Sequence, residues 1–250
     1  MMRTLALLLL LGTQLQAAAA AGQYNEANAL YRDGDFAAAR RSYLAVVDAG
    51  VRDARLYYNL GNACFKSGKL GEAILWYERA RRLLPHDEDI EANLRFANLV
   101  KKDRDPQTED GLGALVVALV AAYFWPTFNQ LSLLFAAAFF AVFVLGVRWL
   151  FAQPRPGVLW LVGLLLCAGL SVGSALWLGT RLRHQAQTSE AIVTVAAAHA
   201  HSGPDLEQTE VFVAHEGTKV RLLRQEGGWM LVRLANGLGG WMPAEALTQI

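Results

Sequence analysis

The sequence predicts a chain of three unlike parts: an α-helical repeat solenoid, a transmembrane hairpin of two apolar helices, and a small all-β barrel. Three observations predict it. Residue types recur with a period of 34 between Asn25 and Ala97, two long tracts carry no charge, and residues 190–250 break into short alternating runs separated by glycine turns. At 250 residues the chain has room for one or two ordinary domains. It is 54% hydrophobic and 18% charged, against about 25% charged for an ordinary soluble domain. The deficit is local: 37 residues between Asp110 and Arg148 and 25 between Arg155 and Arg181 lack any charge.

The N-terminus, "MMRTLALLLLLGTQLQAAAAAG", has one basic residue, an apolar run from Leu5 to Leu11, then a polar break and small residues. That order is the pattern of a secretory signal, and the run is too short to span a bilayer. Residues 1–21 are therefore expected to be a signal peptide, cut at one of several sites within Ala17–Ala21.

The array follows, over 22–104. Displaced back by one period, Gly68 falls on Gly34, Leu70 on Phe36, Ala73 on Ala39 and Tyr77 on Tyr43. In the other direction Asn59, Leu60 and Ala63 fall on Asn93, Leu94 and Ala97, and Asn25 and Ala29 hold the corresponding places in the first copy. A helix–turn–helix period of 34 resembles the tetratricopeptide (TPR) repeat. The second copy carries its pattern in Tyr57, Leu60, Gly61, Ala73, Tyr77, Ala80 and Pro85, with Cys64 where an aromatic is usual. Gly61 and Ala73 are small because two helices cross there, Gly68 makes the turn, and Pro85 stops the second helix. Tyr77 and Ala80 are expected to face the next repeat. One further helix, from Ile90 to about Lys101, opens on the acidic "HDEDIE", which suits a helix N-terminus. It is read as the cap of a two-repeat array.

Asn25, Asn59 and Asn93 occupy one position of successive first helices, and Asn28 and Asn62 lie three residues further on the same face. The resemblance implies a groove in which these five asparagines bind an extended peptide. They are also placed to tie neighbouring helices together, and both roles fit the spacing.

A bilayer core about 30 Å thick needs about 20 apolar residues. Val158–Gly179 supplies 22, giving a span over 158–180. A second is placed over 128–151, beyond Pro126. Residues 105–127 are read as a linker and an interfacial segment, since Leu112–Trp125 has only 14 residues, about 21 Å of helix. Trp149 and Trp160 flank the turn "FAQPRPG", and Trp125 and Trp177 mark the far ends, as in aromatic belts. Two spans place both ends of the chain on one side, and the signal sequence makes that side the periplasm of a bacterial inner membrane. Gly169 and Gly173 form a GxxxG, expected to pack on Ala137, Ala138 and Ala141 of the first span, with a dimer seam as the alternative. Neither apolar stretch, Leu131–Val147 or Val158–Gly179, contains an Asp, Glu, Lys, Arg or His, so neither suggests an ion path.

From residue 190 the runs Ala191–Val195, Val211–Ala214, Lys219–Arg224, Trp229–Leu234 and Gly239–Met242 read as strands, with turns at Gly227-Gly228 and Asn236-Gly237. "HEGTKVRLLRQEGGWMLVRLANGLGGWMP" resembles the bacterial SH3 (SH3b) domain, with "HSGPD" at its variable first loop. The resemblance implies an SH3-like barrel whose relatives bind peptides or peptidoglycan, with Trp229 and Trp241 as its candidate surface or else packed into or at the edge of the barrel core. His199, His201 and His215 are read as exposed loop histidines rather than a metal site.

No nucleophile motif, phosphate loop or metal spacing occurs, so the sequence suggests neither an enzyme nor a cofactor. Cys64 and Cys167 are too few for a disulfide framework or a zinc site. A net charge of +1 without a basic stripe gives no reason to expect nucleic acid. TPR repeats, a membrane hairpin and an SH3b domain, in this order after a signal, resemble the BatE-type aerotolerance proteins of bacteria. That resemblance implies a scaffold or chaperone-like adaptor of an envelope stress complex. Its partners would be von Willebrand A-domain membrane proteins, a MoxR-type AAA ATPase system and membrane lipid. Cell-wall sensing, with peptidoglycan on the SH3-like domain, is the alternative.

Overall fold

A computed structural model describes residues 19–103, 111–153, 157–187 and 189–250. The expected signal peptide up to residue 18, residues 104–110 and the centre of the "FAQPRPG" turn lie outside them. The chain forms two compact units: the helical repeats together with the C-terminal sheet, and the apolar helices. The sheet, which the sequence presents as a module of its own, is thus built onto the repeats.

The repeat array contains α1 (19–32), α2 (Phe36–Asp48), α3 (Ala54–Lys66), α4 (Leu70–Leu83) and α5 (Glu88–Val100). Helix α1 takes in the last residues of the expected leader, and Ala20 packs into the core. Aspartates start three helices: Asp35 accepts from the Ala38 N–H, Asp53 from Arg55 and Leu56, and Asp87 from Ile90. Gly34 and Gly68, equivalent in the two repeats, both end first helices with positive φ (84° and 76°). There the Asp35 and Lys69 amides reach back to the Leu30 and Cys64 carbonyls, closing the turn in a conformation that favours glycine. Gly61 is small for the expected reason, since a Cβ there would lie 2.6 Å from the Tyr77 ring. Tyr77 therefore packs on the first helix of its own repeat, and it also reaches the following helix α5, lining one pocket with Asn93 and Phe96. Cys64 is buried, and desolvation pushes its thiol up to about 12.

The C-terminal strands are β1 (Glu190–Val193), β2 (Ala197–His201), β3 (Glu210–His215), β4 (Lys219–Glu226), β5 (Trp229–Arg233), β6 (Gly239–Pro243) and β7 (Leu247–Gln249). They form one seven-stranded antiparallel sheet in the order β3-β2-β6-β5-β4-β1-β7. Strands β2 and β7 were not expected. The sheet does not close on itself, because β3 and β7 are its edges. Strand β1 shows why closure is unnecessary on the β7 side. Ala191 and Val193 enter the sheet's own core, while Ile192, alternating, enters the core of the helical array. Arg79 of α4 donates to the Gln249 carbonyl at 2.6 Å and Arg82 to that of Ile250 at 2.7 Å. A helix thus covers this edge, one of the ways natural sheets protect edge strands.

The second unit contains α6 (Gly111–Phe124), α7 (Phe128–Phe151) and α8 (Val158–Gln187). Residues 128–151 and 158–184 are long and apolar enough to cross a bilayer, whereas α6, with 14 residues, is not. Thr127 and Gln130 form a capping box that starts α7. On α8 the residues turned inward include Cys167, Ser171, Ser174, Leu178 and Arg181, spaced by three and four. Gly169 and Gly173 are exposed, and a Cβ on either would meet nothing within 4 Å. The inward face of α8 therefore uses the serines and not the expected glycines. Arg181 closes the end, donating to the carbonyls of Tyr123 and Pro126 beneath the Phe124 and Phe128 rings.

Candidate functional site

The first helices α1, α3 and α5 line a concave surface made of two adjoining pockets. One, of about 140 Å³, is bounded by Asn28, Tyr31, Arg32, Tyr43, Asn59 and Asn62. The other, of about 330 Å³, shares Tyr31 and Asn62 and adds Tyr58, Phe65, Lys66, Tyr77, Asn93 and Phe96. Four of the five expected groove asparagines line these pockets. Asn25 does not: it is exposed and lines neither pocket.

The four asparagines stand in one hydrogen-bond arrangement built twice. In the first copy Tyr43 Oη donates to Asn28 Oδ1 at 2.6 Å, and Asn59 Nδ2 donates to Tyr24 Oη at 2.8 Å and to Asn28 Oδ1 at 3.5 Å. In the second, Tyr77 Oη donates to Asn62 Oδ1 at 2.7 Å, and Asn93 Nδ2 donates to Tyr58 Oη at 3.0 Å and to Asn62 Oδ1 at 2.9 Å. Every member of the second set lies one period after its counterpart. The asparagines therefore do tie helix to helix, and the bonds decide which atoms remain for a ligand. Asn28 and Asn62 have their carbonyl oxygens engaged and keep amide N–H donors. Asn59 and Asn93 have their Nδ2 engaged and keep Oδ1 as an acceptor. One spare donor and one spare acceptor per repeat match the N–H and C=O of an extended backbone.

Burial holds the tyrosine hydroxyls in their protonated, donating form. Desolvation pushes Tyr43 up to about 12 and raises Tyr77 further. The tyrosine half of this arrangement was not expected from the sequence, and neither were Tyr31/Phe65 and Arg32/Lys66, which occupy equivalent places in the two repeats. The same register that revealed the asparagines contained all of them.

The second candidate surface is less open. Trp241 is buried, 7% exposed, with the Arg224 guanidinium over its ring at 5.1 Å. Trp229 is half-buried, with His201 against it edge-on. His199 and His201 belong to β2 and not to a loop, and a register shift after Ala200 turns them apart. His199 is exposed and pairs with Glu210, while His201 is buried against the Gln208 carbonyl. His215 lies elsewhere, beside Asp103.

Between array and sheet, charged groups meet. Asp103 accepts from the His215 N–H at 2.7 Å, His215 Nδ1 at 2.8 Å and Thr218 Oγ1 at 2.8 Å. Burial alone would raise its carboxyl, but these bonds outweigh that and hold it below its ordinary value. Glu190 behaves alike, with Lys219 and Arg82 outweighing desolvation. Helix α4 lacks a side-chain cap of its own at Lys69. Glu216 of the sheet supplies an acceptor instead, 3.2 Å from the Gly71 N–H.

These features define a helical-repeat array with a peptide-sized groove. Residues 24–88 match the tetratricopeptide repeat family, which covers the two repeats and a minority of the chain. No curated protein matches the sequence.

Proposed function

We propose that this chain is a non-catalytic adaptor that binds extended segments of partner proteins in the groove of its helical repeats. The observation that carries the reading is the twice-built arrangement of tyrosines and asparagines, which leaves a donor and an acceptor per repeat facing the groove. The family match over 24–88 supports protein partners in general. Two helices long and apolar enough to cross a bilayer support membrane anchoring. With a leader of the secretory type, the groove and sheet would face the periplasm. The strand pattern and the Gly-Trp turns favour an SH3-like ancestry for the sheet, although its ladder is open. With that ancestry, the order of segments fits a BatE-type aerotolerance scaffold working with von Willebrand A-domain proteins and a MoxR-type ATPase system. We place this adaptor reading ahead of peptidoglycan sensing because Trp241 is buried beneath Arg224, leaving the sheet little open aromatic surface.

The test is peptide selection from a random display library on the full-length chain in detergent, with a photo-crosslinking residue replacing Phe96 in the groove or Arg41 outside it. Selected peptides are expected to label the Phe96 position and not the Arg41 position. Equal labelling, or failure to select any peptide, would overturn the reading.

A further inference from the structure

One face of the C-terminal sheet breaks a rule of strand pairing. Arg221 of β4 stands directly opposite Arg233 of β5, where the Cβ atoms of an antiparallel pair lie about 4.5–5.5 Å apart and like charges repel. Val220 and Val232, next to them in sequence, belong to the sheet's own core. By alternation both arginines point to the other face, and both are exposed. At β1 that face meets the array through Ile192. On β6 it offers Arg233 only Gly239, which has no side chain to cover it. One pair further along, Leu231 faces Trp241 and the Arg224 guanidinium lies over the Trp241 ring. Three arginines on two neighbouring strands thus share one surface.

The nearby acids are already engaged. Glu226 pairs with Arg224. Glu190, opposite Arg221 on β1, is held by Lys219 and Arg82. Among the described residues no ion pair joins Arg221 or Arg233 to a carboxylate. Leu223 and Leu238, next in sequence to Arg224 and Gly239, are 43% and 48% exposed and edge the patch with apolar surface. A repelling pair without a partner gives the fold nothing in return, and such local conflicts belong to functional sites.

We propose that this face docks on an anionic bilayer surface, with Arg221, Arg224 and Arg233 on lipid phosphates and the two leucines at headgroup level. This rests on the membrane-anchored reading above and assigns the sheet a part in it. Guanidinium groups match the paired oxygens of a phosphate, and apolar side chains beside cations suit the bilayer interface. A nucleic acid also carries phosphates, but Trp241, buried beneath Arg224, offers no base a stacking surface. Acidic proteins remain as rivals for the patch. Against them, two membrane-spanning helices in the same chain give the bilayer an effective concentration that no dissolved partner shares.

The experiment uses the full-length chain in phosphatidylcholine nanodiscs, with and without phosphatidylglycerol. A fluorophore is attached through Ala235→Cys in the β5–β6 turn, with Cys167→Ala to remove the other accessible thiol, and a headgroup-labelled lipid serves as quencher. Quenching is expected to rise in the phosphatidylglycerol discs and to fall back with added salt. R221Q and R233Q should each lower the ratio of docked to undocked chains about fivefold, the effect of one arginine near an anionic surface. Neither should lower the melting temperature, since each relieves a like-charge pair. Equal quenching in the two kinds of disc would overturn the inference and leave the anchoring standing. So would quenching by phosphatidylglycerol discs that survives in the R221Q/R233Q double variant. Arginine-dependent binding of polyglutamate, without a response to phosphatidylglycerol, would give the face to an acidic protein and also overturn it. A chain that stays outside the discs on reconstitution would remove the anchoring itself and the inference with it.

Discussion

The array's internal hydrogen bonds and its junction with the sheet hold structure together by opposite means. Inside the array the bonds that repeat are between neutral groups, tyrosine hydroxyls and asparagine amides, built twice alongside an Arg40–Glu72 ion pair that joins α2 to α4. At the junction the groups are charged, each contact occurs once, and the partners lie far apart in the chain, as Gly71 and Glu216 do. The array repeats a solution that local sequence can specify. The junction depends on the register of two folded surfaces, so a single intrusive atom should disturb it more. The two regions should also fail at opposite ends of the pH scale.

The largest effect is expected from Gly71→Ala. A Cβ there would sit 2.8 Å from the Val193 carbonyl oxygen and 3.2 Å from the Gly217 amide, backbone atoms that cannot move aside. Intrusions of this kind cost about 1–3 kcal/mol. Gly61→Ala meets the Tyr77 ring at 2.6 Å, so it strains the array instead. Hydrogen exchange on the full chain separates the two. G71A should speed exchange at β1 and β7 while the α3 amides keep their protection, and G61A should do the reverse. Identical exchange maps would mean that array and sheet unfold as one, and the contrast would be lost.

Acid should act on the junction. Asp103 has a carboxyl lowered in the folded chain from its ordinary value of 3.8. A lowered carboxyl contributes stability that is present above the ordinary value and lost as pH falls through the folded one. Asp103→Ala should remove that contribution at neutral pH, leaving the His215 amide without its acceptor at a cost of about 1–3 kcal/mol. Urea titrations at pH 7 and pH 3 are expected to show the destabilisation at pH 7 and a smaller difference between variant and parent at pH 3. A difference that did not change with pH would assign Asp103 a purely steric role.

Alkali should act on the array. Tyr43 is pushed up by burial from 10.0 to about 12, and a raised group contributes stability present below its unfolded value and lost as pH rises through the folded one. Stability of the array is therefore expected to fall between about pH 10 and 12, the interval that these two values bracket. Tyr43→Phe and Tyr77→Phe each delete one neutral hydrogen bond, worth about 1 kcal/mol. The two losses should be similar, because the two arrangements are copies. Unequal losses would show that the second copy, which also contacts the cap helix, is not energetically equivalent to the first.

How far each region was legible in the sequence follows from the same contrast. The period of 34 exposed the helices, the turn glycines and four of the groove asparagines, because each of these signals appears at least twice, while the tight crossing at Gly61 followed from the second copy's match to the repeat pattern. Asn25 was carried along by that periodicity, yet among the described residues no helix of a preceding repeat stands where its partners would be. Strand β2 was missed because "AAHAH" has little strand character by composition and its pattern breaks at the Ala200/His201 register shift. Strand β7 has three residues, too few for alternation to register. The junction was invisible for a different reason. Ile192 reads as one more strand residue, and nothing local says that it belongs to the helical core. The inward face of α8 was misjudged because glycines announce close approach, whereas here Ser171 and Ser174 are buried, the Ser174 hydroxyl bonding to its own helix, and the glycines are exposed.

The smallest effect concerns the start of α4. Helices α2, α3 and α5 each begin with an aspartate that caps its own first turn, while α4 begins at Lys69 and borrows Glu216 from the sheet. Glu216→Gln keeps an oxygen to accept from the Gly71 amide but removes the negative charge from the helix N-terminus. Such a charge is worth about 0.3–1 kcal/mol. Lys69→Asp would give α4 the cap that its siblings have. If the borrowed carboxylate is what couples the sheet to this helix, E216Q should destabilise the chain slightly in the parent and hardly at all beside K69D. A double-mutant cycle by urea unfolding reads that coupling directly. Strict additivity would mean that the sheet is held on α4 by Ile192, the arginines and the Glu78–Lys219 pair without Glu216, and that Glu216 only happens to lie near an amide in need of a partner.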